Sequence, residues 1–390
     1  MLVAGCDPGE REARPYAGRW ESQGFGLFFD IHGGSVDIYE HSEVHCFRVA
    51  SGSARGISEV LSLEDDRLVL RDGGRIVEFV GVETLPERCA DPVADSPPVV
   101  FAVAVATISE HYFPAPDREW HDIAESIGSG LVEESSPDEL HAAMVSVLSL
   151  LGDPEVRLAG GGEEPWPEPP EIGVGLAARW EPASEGGVLV GEAGSGVAYL
   201  GFLSLVTGGE ADQRALAEEL DGALAGAESL VIDLRAASGG VEEAALQVAT
   251  RFVSSERIVA TIRARAGDGL VGAGELSVRP RPTGIFTGRI VVLVGPATSG
   301  AGEMLARILS GTPGVTVVGE PTGGSPREPL VRALPNTWSI GVPNLDVVGS
   351  TGESWLEPLA PDVIAPTTLE DLEAGRDPGL EAALRVLTSG

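Results

Sequence analysis

The segment Arg289-Ile-Val-Val-Leu-Val294 leads through Gly295-Pro-Ala-Thr-Ser-Gly300 into Ala301-Gly-Glu-Met-Leu-Ala-Arg-Ile-Leu-Ser310. Its first part is an apolar run rich in β-branched residues and ends at turn residues, which predicts a strand buried on both faces. The last part predicts a helix with one apolar face and a stop at Gly311. A second apolar run, Val315–Val318, follows. Strand, turn, helix and strand form a βαβ unit, which implies a parallel sheet covered by helices.

The turn between this strand and helix carries two hydroxyl groups, those of Thr298 and Ser299. Backbone N–H groups at a helix start are unpaired and favour negative charge, so a hydroxyl there can serve as a nucleophile beside an oxyanion site. Thr and Ser are also good N-cap residues, and this structural role explains the pair equally well.

The residues around this unit extend the same pattern over 171–390. Gly196–Leu203 and Ser229–Arg235 predict further strands, and Gln213–Ala225 and Glu242–Phe252 predict helices. The turn that contains Gly239 and Gly240 follows one of these strands and allows close backbone approach to a ligand, or only a tight connection. We therefore predict an α/β core in which both Gly-rich turns open at the carboxyl ends of their strands, where ligands bind in such sheets.

The N-terminal half is organised differently. Residues 1–15 predict a tether, of which 7–15 are polar and charged, and short strands separated by turn residues over 16–90 predict a small all-β domain. Helical patterns then fill 99–160, after a proline-containing linker over 91–98. Ser136 and Glu139 form a predicted capping box at the start of one helix. The Gly-, Pro- and Glu-rich residues 160–170 predict a surface loop.

The amino-acid composition and net charge exclude some classes of function. The formal charge is −34, and every basic residue is arginine because the chain contains no lysine. So acidic a chain argues against a nucleic-acid partner. We find no metal-ligand spacing, no phosphate loop and no indication of a cofactor. His41 and His45 are expected to be surface residues and not ligands.

The chain contains three cysteines. Leu2-Val-Ala-Gly-Cys6 resembles a bacterial lipobox, in which the cysteine is lipidated after signal cleavage, although the apolar region that should precede it is missing. A cysteine without a role is the alternative. If Cys6 is lipidated, Cys46 and Cys89 remain as a pair, and we predict a disulfide between them in an oxidising compartment. No stretch is long enough to predict a transmembrane helix.

Several motifs together resemble the tail-specific (C-terminal-processing) serine peptidase family, in its branch with tricorn cores and retinoid-binding-protein repeats. They are Val231-Ile-Asp-Leu-Arg-Ala-Ala-Ser-Gly-Gly240, Thr298-Ser-Gly-Ala-Gly-Glu303, Gly319-Glu-Pro-Thr-Gly323, Leu334-Pro-Asn-Thr-Trp338, Pro361-Asp362 and Gly375-Arg-Asp-Pro378. The resemblance implies a crotonase-like α/β core, peptide hydrolysis and an oxyanion site at Gly239 and Gly240.

The catalytic positions depart from this family. The nucleophilic serine, three residues before the acid Glu303, falls on Gly300, and Ser299 is one residue away. The family's histidine base falls on Glu155. Its glutamate falls on Trp355, although Glu353 and Glu357 lie nearby. A Ser–Lys arrangement is impossible without lysine.

Two hypotheses follow. A serine needs a positioned base, and loss of a triad member costs on the order of 10⁴ to 10⁶ in rate, so we favour a peptide-binding protein that has lost cleavage. The alternative is an active serine endopeptidase in which Ser299 uses an unusual base, such as Glu155, His111 or His141. The expected partners are peptides or unfolded protein tails. The expected location is the bacterial cell envelope, with membrane contact only through a lipid anchor.

Overall fold

The protein is described here by a computed structural model that covers residues 12–72, 75–90, 92–153, 155–160, 172, 173, 175, 176, 180, 187–205, 210–282, 284–324, 326 and 329–389. Cys6 and residues 161–170 of the predicted loop over 160–170 lie outside these residues.

The strands of this part of the chain are β1 Gly18–Ser22, β2 Leu27–His32, β3 Ser35–His41, β4 Cys46–Ser53, β5 Leu61–Glu64, β6 Arg67–Asp72, β7 Arg75–Val82, β8 Arg157–Ala159, β9 Val188–Gly194, β10 Val197–Phe202, β11 Ser229–Asp233, β12 Arg257–Ala266, β13 Gly269–Val278, β14 Arg289–Val294, β15 Val315–Gly319, β16 Leu330–Ala333, β17 Ser339–Val342, β18 Leu345–Gly349 and β19 Val363–Ile364.

The α-helices in the same residues are α1 Ile57–Val60, α2 Pro97–His111, α3 Arg118–Gly128, α4 Pro137–Ser149, α5 Glu210–Leu224, α6 Glu242–Ala249, α7 Ala301–Ser310, α8 Leu369–Glu373 and α9 Pro378–Thr388. Short 3₁₀ helices occupy Arg14–Tyr16 and Glu87–Cys89. No helix among the described residues is long and apolar enough to span a membrane.

The chain forms two compact units. Unit 1 comprises Met1–Glu164, Thr261–Glu275 and Glu328–Asp346, and unit 2 comprises Pro165–Ala260, Leu276–Arg327 and Val347–Gly390. Each unit is therefore built from segments that are distant in sequence.

Unit 1 contains an antiparallel sheet and a helical layer. The sheet includes the order β7-β1-β2-β3-β4, and β6 and β5 branch from β7. Helices α2, α3 and α4 share a core with the small sheet β16-β17-β8, which buries apolar residues such as Phe101, Trp120, Met144 and Ile340. Cys46 and Cys89 form a disulfide, as the sequence predicts.

Unit 2 contains the predicted parallel sheet. Its strand order is β19-β15-β14-β11-β10-β9, in which β9 is antiparallel and the others are parallel. The central strands bury Val231, Val291 and Leu293 completely, in agreement with a strand covered on both faces. The prediction of an α/β core behind an all-β N-terminal region is confirmed.

A buried network of ion pairs links strand β11 of this sheet to the start of α9. The Arg235 guanidinium lies between two carboxylates, with Nε 3.0 Å from Asp233 Oδ1 and Nη1 2.7 Å from Asp377 Oδ1. Tyr199 donates to Asp233 at 2.9 Å, and Asp377 also accepts from the Leu380 N–H at the start of α9. Two of the sequence motifs, those around Asp233 and Asp377, thus join the central strand to the C-terminal helix.

Candidate functional site

The turns that follow β11 and β14 lie side by side at the carboxyl edge of the parallel sheet. The Gly239 N–H donates to the Ser299 carbonyl at 3.2 Å, and the Ser299 N–H donates to the Ala237 carbonyl at 3.1 Å. The two strands are parallel neighbours, so their turns must leave the sheet at the same edge. The predicted meeting of the two Gly-rich turns is therefore present in unit 2.

A third turn completes this edge. Ser299 also forms a parallel bridge with Gly324, and the Gly323 N–H donates to the Thr298 carbonyl at 2.9 Å. The backbone of Ser299 is thus held between the turns after β11 and β15. The order of these turns repeats the order of the strands below them.

Thr298 has a structural role. Its hydroxyl donates to the Leu234 carbonyl at 2.7 Å and accepts from the Gly295 N–H at 3.0 Å. The residue is fully buried. Thr298 therefore fastens the turn to the end of β11, and its hydroxyl is not available for chemistry.

Gly300 is the N-cap of α7. Its φ of 55° and ψ of −125° belong to a region that residues with a side chain rarely adopt, and no side chain caps the helix. The structural alternative, in which Thr298 or Ser299 is the N-cap, is not what forms, because the chain reaches the helix through this glycine. A Cβ atom on Gly300 would lie 2.9 Å from Gly239 Cα, so the position that the family resemblance predicts for the nucleophile faces the Gly-Gly turn.

Gly302 allows the close approach of α7 to the same turn. A Cβ atom there would lie 2.3 Å from the Ala237 carbonyl oxygen. In the motif Thr298-Ser-Gly-Ala-Gly-Glu303, the glycines at 300 and 302 are thus both required by contact with residues 237–239.

Ser299 is half-buried beside this cap. Within the described ranges, its Oγ makes no hydrogen bond, so no base contacts it in unit 2. A serine without a base is not activated as a nucleophile.

Unpaired backbone donors remain at this edge. The N–H groups of Gly240, Gly300 and Ala301 make no hydrogen bond to any part of the chain that the structure describes. Gly300 and Ala301 belong to the start of a ten-residue helix, where the dipole favours a carbonyl oxygen or a negative charge. The Gly239 N–H, in contrast, is already bound to Ser299.

Glu303 is a buried carboxyl group one turn into α7. Burial raises its pKa above the usual range, against the opposing effects of Arg307 and then Thr322. Arg307 Nε lies 2.7 Å from Glu303 Oε1, and its guanidinium also donates to the Glu357 carbonyl. Glu303 is therefore paired with Arg307 of the same helix, and Arg307 in turn binds the backbone at Glu357.

Glu353 and Glu357, the carboxylates near Trp355, make no hydrogen bond to Ser299 in the part of the chain that the structure describes. Trp355 is buried, and the Arg307 guanidinium lies 5.8 Å from its ring centre. Glu353 is exposed and accepts from the Thr351 hydroxyl and, at 3.3 Å, from Trp355 Nε1. Partial burial acts to raise the pKa of Glu353, but the hydrogen bond from Thr351 and the one from Trp355 outweigh it and place the pKa below its usual value. Glu357 is also exposed, and only its carbonyl contacts Arg307.

The candidate base Glu155 belongs to unit 1, as do His111 and His141. Glu155 is largely buried, and its carboxylate lies 3.4 Å from Arg157 Nη2. Its role as a base stays a prediction. Among the residues described, no three His, Cys, Asp or Glu side chains are arranged to hold a metal ion.

The sequence model of peptidase family S41 matches residues 196–365, which contain all strands of the parallel core. Residues 196–365 belong to peptidase family S41. The predicted tail-specific serine peptidase family is thus confirmed for this segment. The S41 segment includes the turns at Gly239, Ser299 and Gly324.

Solved structures share the fold. A candidate peptidase from Parabacteroides merdae is similar with a TM-score of 0.62 at 20% identity, over 76% of this chain and 98% of that one. A lipoprotein from Streptococcus agalactiae is similar with a TM-score of 0.53 at 14% identity, over 80% and 99%. Among curated proteins, no sequence is similar to this chain.

Proposed function

We propose that unit 2 is an S41 peptidase core that binds peptides at the edge formed by the turns at Gly239, Ser299 and Gly324 but does not cleave them. The observation that carries the proposal is Gly300. The residue at the nucleophile position has no side chain, and its positive φ together with the nearby Gly239 Cα leaves no room for one.

The neighbouring hydroxyl does not compensate for this loss. Ser299 has its backbone fixed between two turns and its Oγ without a base among the described residues of unit 2. The Gly239 N–H that could stabilise an oxyanion donates to the Ser299 carbonyl. Nucleophile and one oxyanion donor are missing together, and these contributions act as a unit in serine hydrolases.

Binding is supported by the donors that remain. The N–H groups of Gly240, Gly300 and Ala301, which have no partner among the described residues, can donate to the carbonyl or terminal carboxylate of an extended peptide. The ligand class is therefore a peptide or an unfolded protein tail, in keeping with the substrates of the family.

The test is peptide binding and cleavage with the purified full-length protein. A fluorescent peptide library with free C-termini should show saturable changes in anisotropy and no cleaved products by mass spectrometry. Ala301→Pro removes one free N–H at a position where proline is compatible with a helix start, so we expect weaker binding. The control, Ala382→Ser in α9, should bind as the parent does. Cleavage by the parent that Ser299→Ala abolishes would instead establish the alternative, an active endopeptidase.

We also propose that the protein acts in the bacterial cell envelope, anchored through Cys6. The lipobox-like residues before Cys6 and the Cys46–Cys89 disulfide support this location, because disulfides persist in oxidising compartments. Metabolic labelling with an alkyne fatty acid should label the protein made from its native gene, and Cys6→Ser should abolish the label. Absence of label in the parent would refute the anchor.

A further inference from the structure

Unit 1 buries three histidines that the proposed function does not use. His45 and His111 are each 6% exposed, and the side chain of His41 is 14% exposed. The expectation that His41 and His45 are surface residues is therefore wrong. We refer to His41, His45 and His111 as the histidine cluster.

The three rings are held by different elements of unit 1. His41, at the end of β3, stacks on Phe28 of β2 with ring centres 4.1 Å apart. His45 Nδ1 lies 2.6 Å from the Ser42 hydroxyl. His111, at the end of α2, packs so closely on the turn before β2 that a Cβ atom on Gly26 would lie 2.7 Å from its Nε2.

The turn and the strand are also joined through their backbones, because the His41 N–H donates to the Gly26 carbonyl at 2.9 Å. Movement of the His41 or the His111 ring therefore disturbs the packing of β2 and β3. The cluster lies where the antiparallel sheet of unit 1 meets α2.

Three arginines and four glutamates face the cluster or its charged neighbours. Arg332 is buried, donates to the Phe25 carbonyl, and has its nearest carboxylate, that of Glu40, 4.0 Å away. Two further arginines act on the rings or on their charged neighbours: Arg88, which is next to the disulfide-bonded Cys89, and Arg265 of β12. The carboxyl groups are those of Glu21 in β1, Glu110 in α2 and Glu43. Glu21 Oε1 lies 3.7 Å from His41 Nε2.

Burial and these cations keep the imidazoles neutral. Burial first, and then Arg88, lower the pKa of His41 to about 4 and that of His45 to about 4. For His111, burial and then Arg332 lower the pKa to about 3. Burial also raises the pKa of Glu40, of Glu21 and of Glu110, and by linkage these three carboxyl groups act in the opposite direction to the histidines, because they favour the closed form in acid.

We propose that the histidine cluster is an acid-sensitive conformational device that keeps the antiparallel sheet of unit 1 packed on α2 at neutral pH and loosens it on acidification. The cluster can be protonated only when water reaches the rings, so the opened form takes up protons that the closed form excludes. Acid thus favours opening by mass action.

The direction follows from linkage. An unfolded histidine has a pKa of about 6.5, above the folded values, so stability is complete above that pH. As the pH falls from about 6.5 towards about 4, the opened chain binds protons and the closed one does not. Below the folded pKa values the closed form also binds protons, so the loss of stability does not increase further. Each histidine that stays neutral shifts the opening equilibrium by on the order of tenfold or more between pH 6.5 and 4.5.

The test is amide hydrogen–deuterium exchange of the full-length protein, read by mass spectrometry at pH 6.5 and 4.5 and corrected for the intrinsic exchange rates. We expect protection over residues 27–53 to fall at least tenfold, while peptides from β11 and β14 keep theirs. A variant with His41→Phe, His45→Asn and His111→Leu should lose this pH dependence. His32→Gln, at a ring whose side chain is 59% exposed, is the matched control and should keep it.

A second measurement needs no variant. Exchange of the imidazole C2 protons, followed against pH, should give His41, His45 and His111 midpoints at least about one pH unit lower in the native protein than in urea. Equal midpoints in the two states would overturn the proposal. Unchanged protection over residues 27–53 at pH 4.5 would overturn it as well.

Discussion

Unit 1 and unit 2 bury charged groups in opposite ways. All six histidines of the chain lie in unit 1, and three of them form the largely buried histidine cluster, in which Glu21 Oε1 lies 3.7 Å from His41 Nε2. Unit 2 has no histidine, and its buried Arg235 is paired on both sides by Asp233 and Asp377. A charge that is fully paired resists changes of pH, whereas a neutral base among cations is vulnerable to acid.

The buried acid of unit 2 strengthens this contrast. Because burial raises the pKa of Glu303, the stability that this group contributes is fully present below its unfolded pKa and is lost as the pH rises through its folded pKa. Mild acid therefore stabilises unit 2 through Glu303, whereas in unit 1 the histidine cluster opposes the same effect of Glu40, Glu21 and Glu110.

The largest effect is expected from the ion network of unit 2. Arg235→Met leaves Asp233 and Asp377 buried without their cation, and we expect a loss of about 3–5 kcal/mol in the free energy of unfolding. The measurement is urea unfolding, with hydrogen exchange to assign the loss to unit 2. Arg376→Ala, which removes a 2.8 Å pair with Asp371 at a 58% exposed side chain, should cost less than about 1 kcal/mol. Equal costs for the two would contradict the buried network.

The disulfide is the corresponding test in unit 1. Cys46→Ala with Cys89→Ala removes a link across 43 residues, and loop entropy predicts a loss of about 4 kcal/mol. Exchange protection should fall over residues 27–53 and stay unchanged in β11 and β14. Loss of protection in the parallel sheet would show that the two units do not respond separately.

A smaller effect is expected at the nucleophile position. Gly300→Ala forces a side chain into a positive-φ conformation and against Gly239, so we expect a loss of about 1–3 kcal/mol. Gly222→Ala in α5 is the control, since a Cβ atom there meets nothing within 4 Å and should be neutral or stabilising. Thermal unfolding of both variants gives the comparison. A fully stable Gly300→Ala protein would mean that a side chain at this position is tolerated.

The smallest effect is expected in the helical layer of unit 1. Ser136→Ala removes the capping box at the start of α4 and should cost about 1 kcal/mol. Ser146→Ala, at an exposed serine in the middle of the same helix, is the matched control and should cost less. The same cost in both variants would mean that the cap contributes nothing.

Local sequence signals predicted the features that depend on neighbours along the chain. The apolar runs of β11, β14 and β15 and the capping box of Ser136 and Glu139 are all present. The Cys46–Cys89 disulfide is present too, but its prediction came from the number of cysteines and not from a local signal. Strands β12 and β13 were missed, although alternation around Ile262 and the turn at Gly267 carry a hairpin signal that could have found them.

Features that depend on partners distant in sequence could not be predicted in this way. Gly300 becomes the N-cap because Gly239 lies against it, and His111 is buried because Gly26 lies against its ring. Neither contact is visible in the residues next to them. For the same reason the sequence identifies Ser299 and Gly300 as candidates but does not show which of them faces the Gly-Gly turn.

The central claim is that the S41 core has lost its nucleophile, and covalent labelling tests it most directly. The purified full-length protein is incubated with a fluorophosphonate probe and analysed by intact-mass and peptide mass spectrometry, with Ser299→Ala as the matched variant. We predict no adduct on any serine of residues 196–365 in either protein. A stoichiometric adduct on Ser299 that the alanine variant lacks would contradict the account.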